Sequence, residues 1–295
     1  MNGIFASIRA LAMDTLVSTQ WLVAHLGEPD LLVLDASKHL PDAARDPHAD
    51  FVAAHIPGAR FLDLPSLHDL DAPVGNTLPT RAQFAKRASA LGIAPTSRVV
   101  LYDDSAIASA ARGWFIFRLF GLTDVAVLDG GWAKWQAEGR AVESGEVEAQ
   151  ALDFTAPEPA QRVRTKSDML DNLDSRAEQV VDARDAARFL GTSADTVHGL
   201  EGGHIPGARN LFFRDLFAPD GTYKSPGELR RAFRAARLDL DRPITASCGS
   251  GMTASVLLFA LHLAGVEDAA LYDGSWAEWG ADPATPKETG APTAA

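Results

Sequence analysis

The chain has a single cysteine among its 295 residues, Cys248. No internal disulfide can therefore form, and no C-x-x-C pair is present to hold zinc. This usage suits a reducing compartment, and the cytoplasm is the expected location. Long apolar runs are also missing, since none approaches the ~20 residues that crossing a bilayer requires. Positive charge is scarce: 27 Lys and Arg face 39 Asp and Glu, leaving a formal net charge of −12. That balance opposes nucleic acid or an anionic membrane as a general partner, while still permitting a local basic pocket for a small anion. The N-terminus has a short apolar run interrupted by Arg9 and lacks the basic, apolar and cleavage-site order of a signal peptide. Met13 is an alternative start, with residues 1–12 as an upstream extension.

The chain does hold ample material for folding, with 46% hydrophobic and 22% charged residues. Its length is that of about two domains, and its internal repeats support the same division. HIPGARF at 55–61 recurs as HIPGARN at 204–210, and VLDGGWAKW at 127–135 recurs as LYDGSWAEW at 271–279. LLVLDAS at 31–37 parallels QVVDAR at 179–184, and RVVLYDD at 98–104 parallels RPITASC at 242–248. Four matches in one order mark a tandem duplication. Its expected bounds are 14–142 and 167–282, with a Pro-containing linker at 143–166 and a disordered Pro-, Thr- and Ala-rich tail at 283–295. The short β-branched runs LLVLD, RVVLYD and VAVLDG read as buried parallel strands. Helical periodicity appears over 81–93 and 227–240. The expectation is α/β, each copy a small parallel sheet flanked by helices. Because HIPGAR and DGxWAxW occur in both copies, they read as structural turns.

The two copies differ where the cysteine lies. The repeat offset places Asp104 opposite Cys248, both directly after a strand and ahead of an apolar helix. In open parallel sheets, ligands bind at the C-terminal ends of strands. After Cys248 comes Gly249-Ser250-Gly251-Met252-Thr253 and then the helical run ASVLLFALHLAG. Glycines allow such a loop to curl into a nest of amides around the sulfur, and the helix N-terminus adds partial positive charge. Both favour the thiolate, the nucleophilic form. Cys248 is the expected nucleophile, with the Gly249, Gly251, Met252 and Thr253 backbone around the substrate.

Cys-Gly-Ser-Gly-Met-Thr at 248–253, in the second of two copies, resembles the active loop of the tandem-domain rhodanese family of sulfurtransferases. It is most similar to the mercaptopyruvate branch, whose loop has Val where this chain has Met252. The likeness runs from about Leu16 to Gly280 and is strongest in DARDAARFLGT, GHIPGARN and YDGSWAEW. It implies two tandem rhodanese-like domains, the first catalytically silent, and a double displacement through a Cys248 persulfide with no metal or organic cofactor. It implies 3-mercaptopyruvate or thiosulfate as the small-molecule donor, and cyanide or a thiol, such as a thioredoxin-like dithiol, as acceptor. Thiosulfate-preferring members carry Arg and Lys just after the cysteine, whereas Gly249 and Ser250 stand here. A neutral loop suits a monoanionic donor, with Ser250 serving its ketone oxygen and Arg188 of DAARF binding its carboxylate by a planar fork. Arg184 reads as structural. The mercaptopyruvate branch has a second arginine where this chain has Val197, followed by His198, and first-domain acidic and His residues where it has Pro65 and Asn76. His198 or His204 is a candidate to compensate. Two other readings are opposed by the sequence. A phosphatase or arsenate reductase of this fold needs Arg six residues past the cysteine, where Ala254 stands, and a non-catalytic binding module would not need a thiol in an intact glycine loop.

Overall fold

The computed structural model describes residues 13–159 and 162–292. The proposed upstream extension 1–12 and residues 293–295 of the tail lie outside the described residues. Each copy forms a five-stranded sheet whose strand pairs are all parallel. In the first, β1 (Leu16–Val17), β2 (Leu31–Asp35), β3 (Arg60–Phe61), β4 (Arg98–Tyr102) and β5 (Val125–Leu128) run in the order β1-β5-β4-β2-β3. In the second, β6 (Val163–Arg164), β7 (Gln179–Asp182), β8 (Arg209–Asn210), β9 (Ile244–Ser247) and β10 (Ala269–Tyr272) repeat it as β6-β10-β9-β7-β8. Parallel neighbours require crossovers. The first copy supplies helices α1 (Thr19–His25), α2 (Pro47–Ala53), α3 (Arg81–Ala90), α4 (Ala110–Leu119) and α5 (Gly131–Ala137). The second supplies α6 (Lys166–Ser175), α7 (Ala186–Leu190), α8 (Pro226–Ala235), α9 (Met252–Leu263) and α10 (Ser275–Trp279).

Local sequence explains most of these elements. The central strands are covered on both faces, and Val99, Val100 and Leu101 of β4 have no exposed surface, which is why they read as unbroken apolar runs. Thr80 with Gln83, Thr165 with Asp168, and Ser225 with Glu228 form reciprocal capping boxes that start α3, α6 and α8. The edge strands β1, β3, β6 and β8 have two residues each, too short to show alternation in the sequence.

The HIPGA turns have the same construction in both copies. His55 Nδ1 lies 2.8 Å from the Phe51 carbonyl and His204 Nδ1 lies 2.8 Å from that of Phe189, each imidazole stacked on the same phenylalanine's ring. Each turn also pairs with a later strand-like segment, His55 with Glu143 and His204 with Glu288. Gly58 N–H donates to Glu143 Oε2 and Gly207 N–H to Glu288 Oε2. The start of the linker and the start of the tail are thus equivalent parts of the repeat. The expectation of disorder over 283–295 fails for this reason as far as residue 292: Thr285 is buried, and Gly290 N–H donates to the Leu190 carbonyl. Composition alone did not reveal this docking.

Helices α4 and α9 occupy the same place in their copies and pack against each other. Both are apolar on nearly every side, as helices enclosed by protein are, and Trp114 meets Phe259 edge to face at 4.9 Å. One hydrophobic cluster accordingly runs through both copies, joining Ile107, Ala111 and Trp114 to Met252, Leu257 and Phe259. Beside this seam, Arg112 of α4 reaches Asp273, just after β10, at 2.8 Å, with its side chain 2% exposed. Asp273 also accepts from the Leu78 N–H at 2.7 Å, and Arg112 Nη2 donates to the Asn76 carbonyl at 2.8 Å. Replacing one partner strands the other charge in a dry seam. Asp273→Ala is expected to lower unfolding stability by about 3–5 kcal/mol, as read from urea denaturation.

Candidate active site

Cys248 follows β9 directly, at the C-terminal end of the sheet, and is 1% exposed. It lies on the wall of a cavity of about 750 Å3 formed by both copies. The first copy supplies Lys38, His39 and Asn76, and the second supplies Arg184, Arg188, Val197, His198, Arg214 and the cysteine loop. Among the described residues no group of His, Cys, Asp and Glu is arranged to hold a metal ion.

The loop's two glycines serve different purposes. Gly251 takes φ +76, and a Cβ there would press on Asp273 Oδ1 at 2.8 Å and Arg112 Nη1 at 3.0 Å. It turns the chain into α9 and faces the seam rather than lining the cavity. Gly249 has no left-handed φ; it is constrained by the His198 ring, whose Cε1 would lie 2.2 Å from an added Cβ. Gly249, Ser250, Met252 and Thr253 all line the cavity.

The amide nest is organised by a side chain distant in sequence. Ser275 Oγ accepts from the N–H groups of Cys248 at 3.1 Å and Gly251 at 3.2 Å, and donates to the Tyr272 carbonyl at 2.8 Å. Those two amides therefore point beneath the loop rather than at the sulfur. The Gly249 and Ser250 amides have no protein acceptor among the described residues. Ser250 does not cap α9, whose N-cap is Gly251 without a side-chain cap. Its Oγ instead accepts from Asn76 Nδ2 at 3.3 Å, across the two copies.

A buried carboxylate orders the opposite wall. Asp195, fully buried, lies 2.9 Å from His198 Nδ1, 3.5 Å from Arg184 Nη1 and 3.6 Å from Arg188 Nη1. Burial works against its charge, but His198, Arg188 and Arg184 together hold its carboxyl below the usual range. Arg184 is 1% exposed, bonded to Asp182 at 2.7 Å and 4.6 Å from the centre of the Trp276 ring. Although burial opposes its charge, Asp182 and Asp195 hold its guanidinium above the ordinary range. This is the structural arginine expected from the sequence. Arg188 is freer: Nε bonds Asp185 at 2.6 Å, and the side chain remains 24% exposed at the cavity. His198 is in the site, whereas His204 is enclosed in its turn and has no exposure. Val197 lines the rim at 45% exposure, and Pro65 does not reach the cavity.

The equivalent loop of the first copy is shifted by one residue from the expected match. Trp132 N–H donates to the Asp103 carbonyl at 3.0 Å, and Trp276 N–H donates to that of Cys248 at 3.0 Å. Tyr102 pairs with Asp35 as Ser247 pairs with Asp182. Asp103, rather than Asp104, therefore stands in the place of Cys248. The loop is longer in the first copy and the helix after it shorter, so the span to the next strand differs by one residue, which hid this from a match at constant offset. Asp103 accepts from the Ser105 and Ala110 amides at 3.0 and 2.7 Å, and burial pushes its carboxyl up to about 7 despite those bonds. The first loop thus carries its own carboxyl group where the second presents a sulfur. Asp104 turns outward to Arg45 at 2.6 Å.

Sequence reasoning missed Lys38, Asp195, Ser275, Arg112 and Asp273. Asp273 and Ser275 lie inside LYDGSWAEW, which reads from the sequence only as a structural turn, while Lys38, Arg112 and Asp195 sit in no repeated motif; each joins the site through contacts distant in sequence or through a loop's shape.

Comparison with known proteins agrees with this geometry. Residues 18–138 and 165–282 each match the family described as rhodanese-like domain. The mouse protein named 3-mercaptopyruvate sulfurtransferase is 41% identical over 270 residues, covering 90% of this chain and 91% of that one. Bovine thiosulfate sulfurtransferase is 39% identical over 271 residues, with the same coverage of 90% and 91%. Among solved structures, SseA of Escherichia coli, described as a 3-mercaptopyruvate sulfotransferase, superposes with a TM-score of 0.82 at 35% identity. That superposition covers 90% of this chain and 99% of SseA.

Ser275→Ala removes the one acceptor shared by two loop amides. The expected effect is about 1–3 kcal/mol of lost stability, read by thermal melting, together with slower alkylation of Cys248 by iodoacetamide.

Proposed function

This chain belongs to the rhodanese-like domain family, and from that premise we propose a sulfurtransferase that takes sulfur from 3-mercaptopyruvate through a Cys248 persulfide. The observation that carries the reading is the placement of Cys248 on a cavity that also holds the Ser250 hydroxyl and Arg188. The catalytic copy is 167–282 and the silent one is 14–142, where Asp103 occupies the position of the nucleophile.

The Cys248 thiolate attacks the donor sulfur. An S–S bond forms, the donor's C–S bond breaks, and its electron pair leaves as the enolate of pyruvate, which takes a proton. The Gly249 and Ser250 amides and the start of α9 face the anionic sulfur with partial positive charge. Ser250 hydrogen-bonds the oxygen that becomes the enolate, and Arg188 binds the carboxylate. Met252 and Thr253 complete the pocket wall. An acceptor nucleophile, cyanide or a thiol of the thioredoxin-like kind, then attacks the outer sulfur and regenerates the thiolate. No residue of this sequence requires a metal or organic cofactor for either step. The lone thiol, with no disulfide partner in the chain, suits a reducing compartment such as the cytoplasm.

Thiosulfate sulfurtransferase is the second reading. It is favoured by the cations Lys38, Arg188 and Arg214 in the cavity wall, and it uses the same persulfide. Uncharged Gly249 and Ser250 next to the nucleophile favour the monoanionic donor instead.

Intact-mass measurement after incubation with mercaptopyruvate is expected to show one added sulfur atom on the wild type and none on Cys248→Ser. No adduct on the wild type with any sulfane donor would sink the sulfurtransferase reading. In steady state, kcat/KM for mercaptopyruvate is expected to exceed that for thiosulfate. A roughly tenfold advantage for thiosulfate would reverse the donor assignment, tenfold being about 1.4 kcal/mol in the transition state. Arg188→Ala is expected to reduce kcat/KM for mercaptopyruvate by the ~1.5–3 kcal/mol of a charged hydrogen bond, about 10- to 150-fold.

A further inference from the structure

Lys38 lies in the segment after β2 and is absent from every motif of the sequence. Its backbone is fixed from two directions: its N–H donates to Ser109 Oγ at 3.1 Å, and its carbonyl accepts from Ser105 Oγ. The side chain enters the cavity that holds Cys248, and Nζ donates to Asn76 Oδ1. Asn76 is itself constrained. It adopts φ +63, its carbonyl accepts from Arg112, and its Nδ2 donates to Ser250 Oγ. The result is a directed chain from Lys38 through Asn76 to Ser250.

The direction of this chain has a chemical consequence. An ammonium has donors only, so it fixes Asn76 Oδ1 as the acceptor and turns the amide NH2 towards Ser250. The serine oxygen then accepts, and its own O–H is left to donate. Ser250 Oγ donates to no acceptor among the described residues, so that proton is available to the cavity. Lys38 also has no carboxylate within ion-pair distance among the described residues, unlike Arg188 with Asp185. Burial, and after it the charge of Arg112, press the Lys38 ammonium down to about 8. It therefore keeps its proton at neutral pH while lacking a counter-ion that an anionic ligand would supply.

We propose that Lys38 is a positioning residue for the reaction, holding Ser250 through Asn76 as a proton donor towards the donor's ketone oxygen. An amide does not pass a proton along, so Lys38 acts by orientation and polarisation rather than as the acid itself. The inference rests on the sulfurtransferase reading and adds a donor-selective element. A donor whose sulfur leaves a carbonyl-stabilised carbanion needs that hydroxyl. Thiosulfate, which releases sulfite, has no ketone oxygen to receive it.

The test compares the full-length wild type with Lys38→Met, Lys38→Arg, Asn76→Ala and the Lys38→Met/Asn76→Ala double variant, using mercaptopyruvate and thiosulfate. Lys38→Met is expected to lower kcat with mercaptopyruvate about 10- to 100-fold and kcat with thiosulfate by a clearly smaller factor, while the lost positive charge raises KM for both anionic donors. Asn76→Ala should reproduce that selective loss, and the double variant should lose no more than the larger single, because both cut one chain. Lys38→Arg, which keeps a charged donor, should recover most of the lost kcat. Equal losses with both donors, or additive losses in the double variant, would overturn the proposal. If Lys38→Met fails to fold by thermal melting, the selective loss must appear in Asn76→Ala, and its absence there overturns the proposal. A wild type that forms the Cys248 persulfide while Lys38→Met retains full kcat with mercaptopyruvate refutes the role of Lys38 alone. A wild type that forms no persulfide with either donor refutes the underlying reading.

Discussion

The Arg112–Asp273 ion pair is the constraint around which the two copies are arranged. It lies in the seam between domains, where a lone charge would be strongly disfavoured. Its hydrogen bonds spread to both sides: Asp273 holds the Leu78 amide, and Arg112 holds the Asn76 carbonyl and contacts Gly251 at the end of the cysteine loop. The first copy's 76–78 segment is thereby set against the second copy's loop. Without that placement Asn76 would not reach Ser250, and the cavity would lose one wall. The α4–α9 contact supplies the apolar bulk of the interface, and the ion pair supplies its register.

The duplication turns one scaffold to two uses. Both copies present a loop at the C-terminal end of their fourth strand, followed by a helix packed into the common core. In the first copy the Asp103 carboxylate takes the Ser105 and Ala110 amides for itself. In the second, Ser275 secures two amides from below, and the Gly249 and Ser250 amides stay without a protein acceptor. One loop is filled by its own carboxyl group, and the other leaves two amides without a protein partner. The first copy's loop thus differs from the second's by more than the missing thiol. The first copy still places residues in the shared cavity.

Much of this was legible in the sequence. The repeats located two equivalent sheets, the apolar runs located the central strands, and HIPGAR in both copies marked structural turns. The cysteine loop stood out by residue type and spacing, while Arg188 was singled out by the family resemblance, and both line the cavity. The errors have specific causes. The match of Asp104 to Cys248 fails because a constant offset cannot register a change of spacing between strand and helix. The tail reads as disordered because its composition is Pro- and Ala-rich, whereas a bridge from Glu288 to His204 docks it.

The sequence by itself determined the duplication, the α/β class and the reaction family, because each depends on local pattern or on a short contiguous motif. Only the tertiary structure decided what surrounds Cys248. Asn76 meets Ser250 from 174 positions away, and Arg112 meets Asp273 from 161. Such pairings are set by how two domains pack, and packing depends on the shape of whole faces rather than on spacing along the chain. That is why Lys38, unremarkable among 27 basic residues, becomes part of the site only when the two copies close on each other.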